Sequence, residues 1–255
     1  MKNGIIVFIT SLIFIVSVFF MYKYKKLRST ISPSKTFIVG TNAEYPPFCS
    51  VENGNIVGFD IDIAKDIAKR LGKEIIIKDM AFEALIPELQ IGKIHFAAAG
   101  LTPTPEKAKK VLFTEPYLKG DPLLIICPKE KKGIGSVNDL KNKTVIVNSG
   151  YTADLYMSKY DEISLLRLAN PAMSFLALNS GKADAFVSAK SAVKPFFDKH
   201  GVENYSITPI EGTEETYAIV VSKKHKKMFK AIQDSIREML ENGTIKDFKH
   251  KWDIK

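Results

Sequence analysis

Apolar and polar positions alternate along this chain in two rhythms that trade places along its length. Phe37-Ile38-Val39 is short, apolar and partly β-branched, which predicts a buried strand. Ile63, Ala64, Ile67, Ala68 and Leu71 then recur at helical spacing, with Asp62, Lys65, Asp66, Lys69 and Arg70 on the opposite face. Asp60 is a candidate N-cap, and Gly72 sits where a helix-ending glycine belongs. Between strand and helix lies a small, polar and aromatic loop. In it Pro46-Pro47 enforce extended backbone, and Glu52-Asn53-Gly54 predict a hairpin turn.

The βα rhythm continues. Residues 74–78 predict a strand and 82–90 a helix, in which Pro87 is tolerated only in the first turn. Residues 94–98 predict a third strand. Thr104-Pro105-Glu106-Lys107 reads as N-cap, proline at the first helical position, and a short helix. Residues 123–127 form an apolar strand, taken as the first crossing between two lobes. Strands are expected at 144–147, 163–168 and 183–187. Asn148 to Thr152 predict a turn opening a helix, and Asn170-Pro171 cap another that closes near Gly181. Residues 216–221 predict a returning strand, and 226–241 a long amphipathic helix with Gly243 at its end. The only repeat is the βα unit itself, not a solenoid period.

An uncharged apolar run at residues 5–22 changes the picture at the N-terminus. Its length is about that of a short membrane span. No small-x-small cleavage site and no lipid-carrying cysteine follow it, so an uncleaved anchor is favoured over a removed signal peptide. The basic cluster at 23–28 opposes export of the body under the positive-inside rule.

The 255 residues, 45% hydrophobic, suffice for one large or two small cores. The net charge of +9 is concentrated: Lys2, Lys23, Lys25, Lys26 and Arg28 lie in an acid-free start. Elsewhere bases interleave with acids, which is no nucleic-acid footprint. Cys49 and Cys127 are too few for a disulfide framework, and two free thiols are expected. His95, His200, His225 and His250 are scattered, and no nucleophile elbow, phosphate loop or metal-ligand spacing occurs. Neither cofactor nor metal is expected.

The runs GTNAEYPPF, GFDIDIAKDIAKRLG, AFEALIPELQIGKI and GLTPTPEKAKKVLFTEPY resemble the polar amino-acid periplasmic binding proteins of ABC importers, solute-binding protein family 3. The resemblance continues at lower density to the C-terminus. It implies an α/β, two-lobed periplasmic-binding-protein fold of type II with two crossing hinge strands, preceded by an N-terminal hydrophobic helix. Residues 35–124 and 214–255 would form lobe 1 and 125–213 lobe 2, after an anchor or signal segment at 1–28 and a linker at 29–34. The implied function is capture of a small polar ligand, most often an amino acid, by hinge closure. The implied partners are a membrane ABC permease and, through residues 5–22, the membrane itself. The protein would be an extracytoplasmic or periplasmic monomer.

The resemblance also implies site residues. Tyr45 and Phe82 would sandwich the ligand's side chain, and their removal would leave the unliganded fold intact. Asn42 fits the family's Asp or Asn, while Glu44 is less typical and either reads a polar group or faces solvent. Gly100 would offer backbone N–H or carbonyl, and Thr102 a hydroxyl. Lys107 stands where the family has a carboxylate-gripping Arg, keeping the charge but losing the fork. Tyr151 and Thr152 open a helix whose free N–H groups would face a carboxylate, Tyr151 replacing the first of a Ser/Thr pair. The family's ammonium-pairing acid is replaced by Ala189, and Asp184 reads as structural. Either another acid, such as Glu44 or Glu215, takes that role, or the ligand is not an ordinary α-amino acid. Two rival readings stand beside this one. One is a cyclic-acid dehydratase-like enzyme with Glu44 or Glu83 as acid or base; the other is a membrane-anchored ligand sensor.

Overall fold

A computed structural model describes residues 35–254. The expected anchor or signal segment and linker lie outside the described residues. Two five-stranded sheets carry the fold. The first runs Glu74–Asp79, Thr36–Thr41, Phe96–Ala97, Val220–Ser222, Val111–Phe113. Val39 pairs with Phe96 in parallel, whereas Val220–Ser222 runs antiparallel to both neighbours. The second runs Ser164–Leu168, Thr144–Asn148, Ala185–Ala189, Leu123–Pro128, Tyr205–Pro209. Its first three strands are parallel, and Leu123–Pro128 runs antiparallel to both of its neighbours. Each sheet with its helices forms one lobe. Between the sheets in sequence lies an antiparallel ribbon, Leu118–Asp121 against Glu215–Tyr217.

Local chemistry explains the elements nearest the site. The helix Phe59–Arg70 buries Ile63, Ala64, Ile67 and Ala68 on its apolar stripe, each larger side chain contributing about 1.5–3 kcal/mol. It starts at Gly58, where φ is 139° and an added Cβ would stand 2.1 Å from the Phe48 carbonyl oxygen, so only glycine fits. Asn53 and Gly54, with φ of 50° and 77°, make the expected hairpin turn between Cys49–Glu52 and Asn55–Val57. Pro87 falls in the first turn of Leu85–Ile91, after a 3₁₀ turn at Phe82–Ala84, where its missing N–H costs nothing. Thr104 and Asn170 cap their helices as expected, accepting from the backbone N–H of Lys107 and Met173.

Several expectations need correction. Asp60 is not the N-cap; it lies inside the helix, fully buried, and binds other elements. Residues 123–127 do not cross between lobes. Leu123–Pro128 is buried throughout and lies inside the second sheet, paired with Ala185–Ala189. The expected strand at 216–221 is two strands, one in the ribbon and one in the first sheet, parted at Ala218-Ile219. The helices Lys190–His200 and Thr244–Lys251 were not foreseen. The first carries an internal Pro195, and the second is opened by Gly243, at φ 85°, which was expected only to end the preceding helix.

Candidate functional site

The lobes meet around Tyr151, the residue before the helix Thr152–Met157. Its ring lies 4.5 Å from that of Phe82 and 5.5 Å, edge-on, from that of Tyr45, both on the first lobe. Its hydroxyl donates to Asn42 Oδ1 at 3.0 Å, while Asn42 Nδ2 donates to the Met80 carbonyl at 3.2 Å. Tyr151 thus stands in the aromatic slot expected to hold a ligand side chain. Its own N–H is taken by the Asn148 carbonyl at 3.1 Å, so the expectation that it presents a free donor is corrected.

The floor of the junction is a chain of hydroxyls and carboxylates. Tyr45 and Tyr217 hydroxyls are 2.9 Å apart. Tyr217 donates to Asp121 Oδ2 at 2.6 Å and contacts Glu215 Oε2 at 3.2 Å. Asp121 and Glu215 are register partners across the ribbon. Asp121 also accepts from the Ser191 N–H at 3.0 Å and from the Ser191 hydroxyl, fixing the start of Lys190–His200. Glu215 Oε1 accepts from Thr102 Oγ1 at 3.1 Å, and the Thr152 side chain bonds the same carboxylate. Burial pushes Glu215 up to about 7, the Asp121 charge adds to this, and the three hydroxyls oppose it.

Lys107 supplies the opposite charge. It is 9% exposed, and its Nζ is buried without a hydrogen-bond partner among the described residues, 5.3 Å from the Phe82 ring centre. Burial lowers its proton affinity; the charge of Glu215, then that of Glu106, raises it.

Asn42, Tyr45, Phe82, Thr102, Lys107, Tyr151 and Thr152 therefore converge on one junction. Glu44 sits at its edge, exposed, accepting from Asn170 Nδ2 of the other lobe at 3.2 Å. Gly100 packs its backbone against Tyr45: at φ 57°, an added Cβ would come within 2.7 Å of the ring. Its N–H donates to Asp60 Oδ2 at 2.5 Å, which corrects the expectation that this N–H is free for a ligand. Asp60 also accepts from Tyr117 at 2.8 Å; burial pushes it up to about 7, and both bonds oppose the shift. Asp184 is structural, pairing Lys131 at 2.7 Å and accepting from the Thr144 N–H at 3.0 Å. Cys49 and Cys127 are free, buried thiols, as expected. Asp121, Ser191 and Tyr217 were missed. They belong to no shared motif: the ribbon sets Asp121 beside Glu215 near Tyr217, and the pairing of Ala189 with Leu123 brings Ser191 to Asp121.

Residues 37–254 match the model of the bacterial extracellular solute-binding proteins, family 3, and the chain belongs to that family. It is 30% identical over 233 residues to the arginine-binding extracellular protein ArtP of Bacillus subtilis, covering 87% of each chain. It is 34% identical over 205 residues to the ABC transporter glutamine-binding protein GlnH of the same organism, covering 78% of this chain and 74% of that one. A solved structure of an ancestral arginine-binding protein bound to arginine superposes with a TM-score of 0.80. That match is 35% identical and covers 86% of this chain and 98% of the other. Membership makes this chain a solute-binding protein and not an enzyme, which removes the dehydratase rival.

Proposed function

We propose that this chain captures a free amino acid between its lobes and delivers it to an ABC permease. The observation that carries this is the Lys107 ammonium, buried and unpartnered beside Phe82 at the junction of the lobes. A buried ammonium without a hydrogen-bond partner is costly, and a ligand carboxylate removes that cost. Tyr45 and Phe82 would hold the ligand's side chain, in the slot that the Tyr151 ring fills here. Their rings suit a flat polar group such as a guanidinium or amide, which stacks on aromatic faces. Relatives named for arginine and glutamine fit that preference. Asn42, Thr102 and Thr152 supply side-chain polar groups at the same junction, with Gly100 giving Tyr45 room and Glu44 at the rim.

Hinge closure at the Leu118–Asp121 and Glu215–Tyr217 ribbon would bring the lobes together, so that the loaded monomer docks on the permease. Residues 1–28 either tether the body outside the cytoplasm or are removed; the mass of the protein recovered from cells distinguishes the two. Among the described residues, no helix is long and apolar enough to cross a membrane. A thermal-shift screen against the twenty standard L-amino acids, short peptides and organic acids tests the capture. At least one amino acid should raise the melting temperature by several degrees, because a ligand of the native state stabilises it. No shift with any amino acid would contradict it.

A further inference from the structure

We propose that Glu215 binds the ligand's α-ammonium group. This rests on the reading that the ligand is a free amino acid, and it adds the second pole of the site. A zwitterionic head group presents two opposite charges a few bonds apart. The junction presents two as well: the Lys107 ammonium, which has no hydrogen-bond partner, and the buried Glu215 carboxylate held by Thr102 and Thr152, whose charge opposes the effect of burial on the lysine.

The other acids near the junction are engaged or exposed: Glu83 and Glu106 both face solvent. Asp121 is bonded by Ser191 and Tyr217 and anchors the start of Lys190–His200. Asp60 is fully buried and is bonded by Tyr117 and Gly100 of its own lobe. Glu44 is exposed at the rim and held by Asn170. Ala189, 5% exposed, ends its strand without any acid to offer. Glu215 is 5% exposed, and among the described residues no cationic side chain pairs with it; its bonds come from the hydroxyls of Thr102, Thr152 and Tyr217. A carboxylate has about four acceptor sites, so these three leave room for a further donor.

The placement also couples binding to closure. Thr102 belongs to the first lobe, Thr152 to the second, and Tyr217 to the ribbon between them. Parting the lobes separates Thr102 from Thr152 and uncovers the carboxylate between them. An ammonium arriving there meets an acid already oriented by the ribbon, and reclosing returns the threonine hydroxyls to it.

The test measures equilibrium binding by calorimetry on the full chain, its E215Q variant and its E215D variant. The probes are the twenty standard L-amino acids and, for the tightest, the same molecule lacking the α-ammonium, such as guanidinovalerate for arginine. The wild type should favour the amino acid over that analogue by about 30-fold or more. E215Q should weaken the amino acid by a similar factor and the analogue by less than about threefold. E215D keeps the charge but shortens its reach, so it should weaken the amino acid by about tenfold and spare the analogue. This variant decides the matter if E215Q does not fold. If either folded variant keeps the full preference for the amino acid, Glu215 does not read the ammonium. If the wild type binds none of the twenty, amino-acid capture itself falls and this role falls with it.

Discussion

Tyr151 of the second lobe donates its hydroxyl to Asn42 Oδ1 of the first lobe at 3.0 Å. The same side chain lies across the Phe82 ring at 4.5 Å, so one residue latches the two lobes and fills the slot between them. Any ligand side chain entering that slot must displace the phenol or stack beside it. Tyr151→Ser should therefore loosen the unliganded protein, lowering its melting temperature by several degrees, at roughly 2–4 °C per kcal/mol for a domain of this size. It should also enlarge the shift given by amino acids with long side chains. Differential scanning fluorimetry reads both, and an unchanged melting temperature would show that the latch stabilises nothing.

Tyr45 and Phe82 should behave differently, although sequence pairs them as two walls of one slot. Tyr45 is 4% exposed, stacks on Phe48 at 5.2 Å and shares the hydroxyl network through Tyr217. Tyr45→Ala should cost about 3 kcal/mol or more even without ligand, as for other large core truncations. The expectation that its loss spares the unliganded fold is thus replaced. Phe82 is half-buried on a 3₁₀ turn, so Phe82→Ala should cost less than about 2 kcal/mol while abolishing the ligand-induced shift. Chemical denaturation with and without ligand separates the two, and equal unliganded losses would contradict the distinction.

Lys107→Met removes the unpartnered ammonium and keeps an apolar stem of similar length. The unliganded protein should be as stable as the wild type or more so, since a buried ammonium with no hydrogen-bond partner disappears. Amino-acid binding should fall by about tenfold or more with loss of the charge pair. A clear loss of unliganded stability would show instead that Lys107 supports the fold.

Asp60 and Glu215 both sit near 7 in the folded chain, against about 4 when unfolded. Raised carboxyls bind protons in the native state that the unfolded chain releases. Their contribution is complete below about pH 4 and is lost as pH rises towards 7, levelling off above it. The unliganded melting temperature should therefore be higher at pH 5.5 than at pH 8, and E215Q should flatten part of that slope. Ligand affinity should move the other way. An ammonium held by Glu215, among Asp121, Tyr217, Thr102, Lys107, Thr152 and Tyr151, requires the ionised acid. Binding should weaken as pH drops below about 7, with a proton released on association. Flat stability and flat affinity across this window would contradict both assignments.

Much of the first lobe was legible because its signals are local. The stripe from Ile63 to Ala68, the Asn53-Gly54 turn and the Thr104-Pro105 cap each lie within a few residues of the structure they specify. Tyr45 and Phe82 were legible as a slot only through resemblance, and the Tyr151 ring between them was not legible, since the three share no spacing. The ribbon was not legible. Leu123 to Cys127 looks like a crossing strand because it is apolar, but apolarity marks burial inside the second sheet. The strand that does cross, Leu118–Asp121, has exposed Lys119 and Gly120 at its centre and no apolar signal. Lys190–His200 was hidden because Pro195 argues against a helix interior unless the surrounding packing tolerates it. Asp60 shows how a residue type misleads: an acid near a helix start suggests a cap, yet this one is buried and serves Gly100 and Tyr117.

The most direct measurement is a crystal structure of the protein grown with whichever standard amino acid gives the largest thermal shift. The ligand should lie between the lobes, its carboxylate on Lys107, its ammonium on Glu215, and its side chain against Phe82 with Tyr151 displaced or stacked upon it. An amino acid bound elsewhere, or bound there with Lys107 and Glu215 both out of hydrogen-bond reach, would contradict the two-pole site.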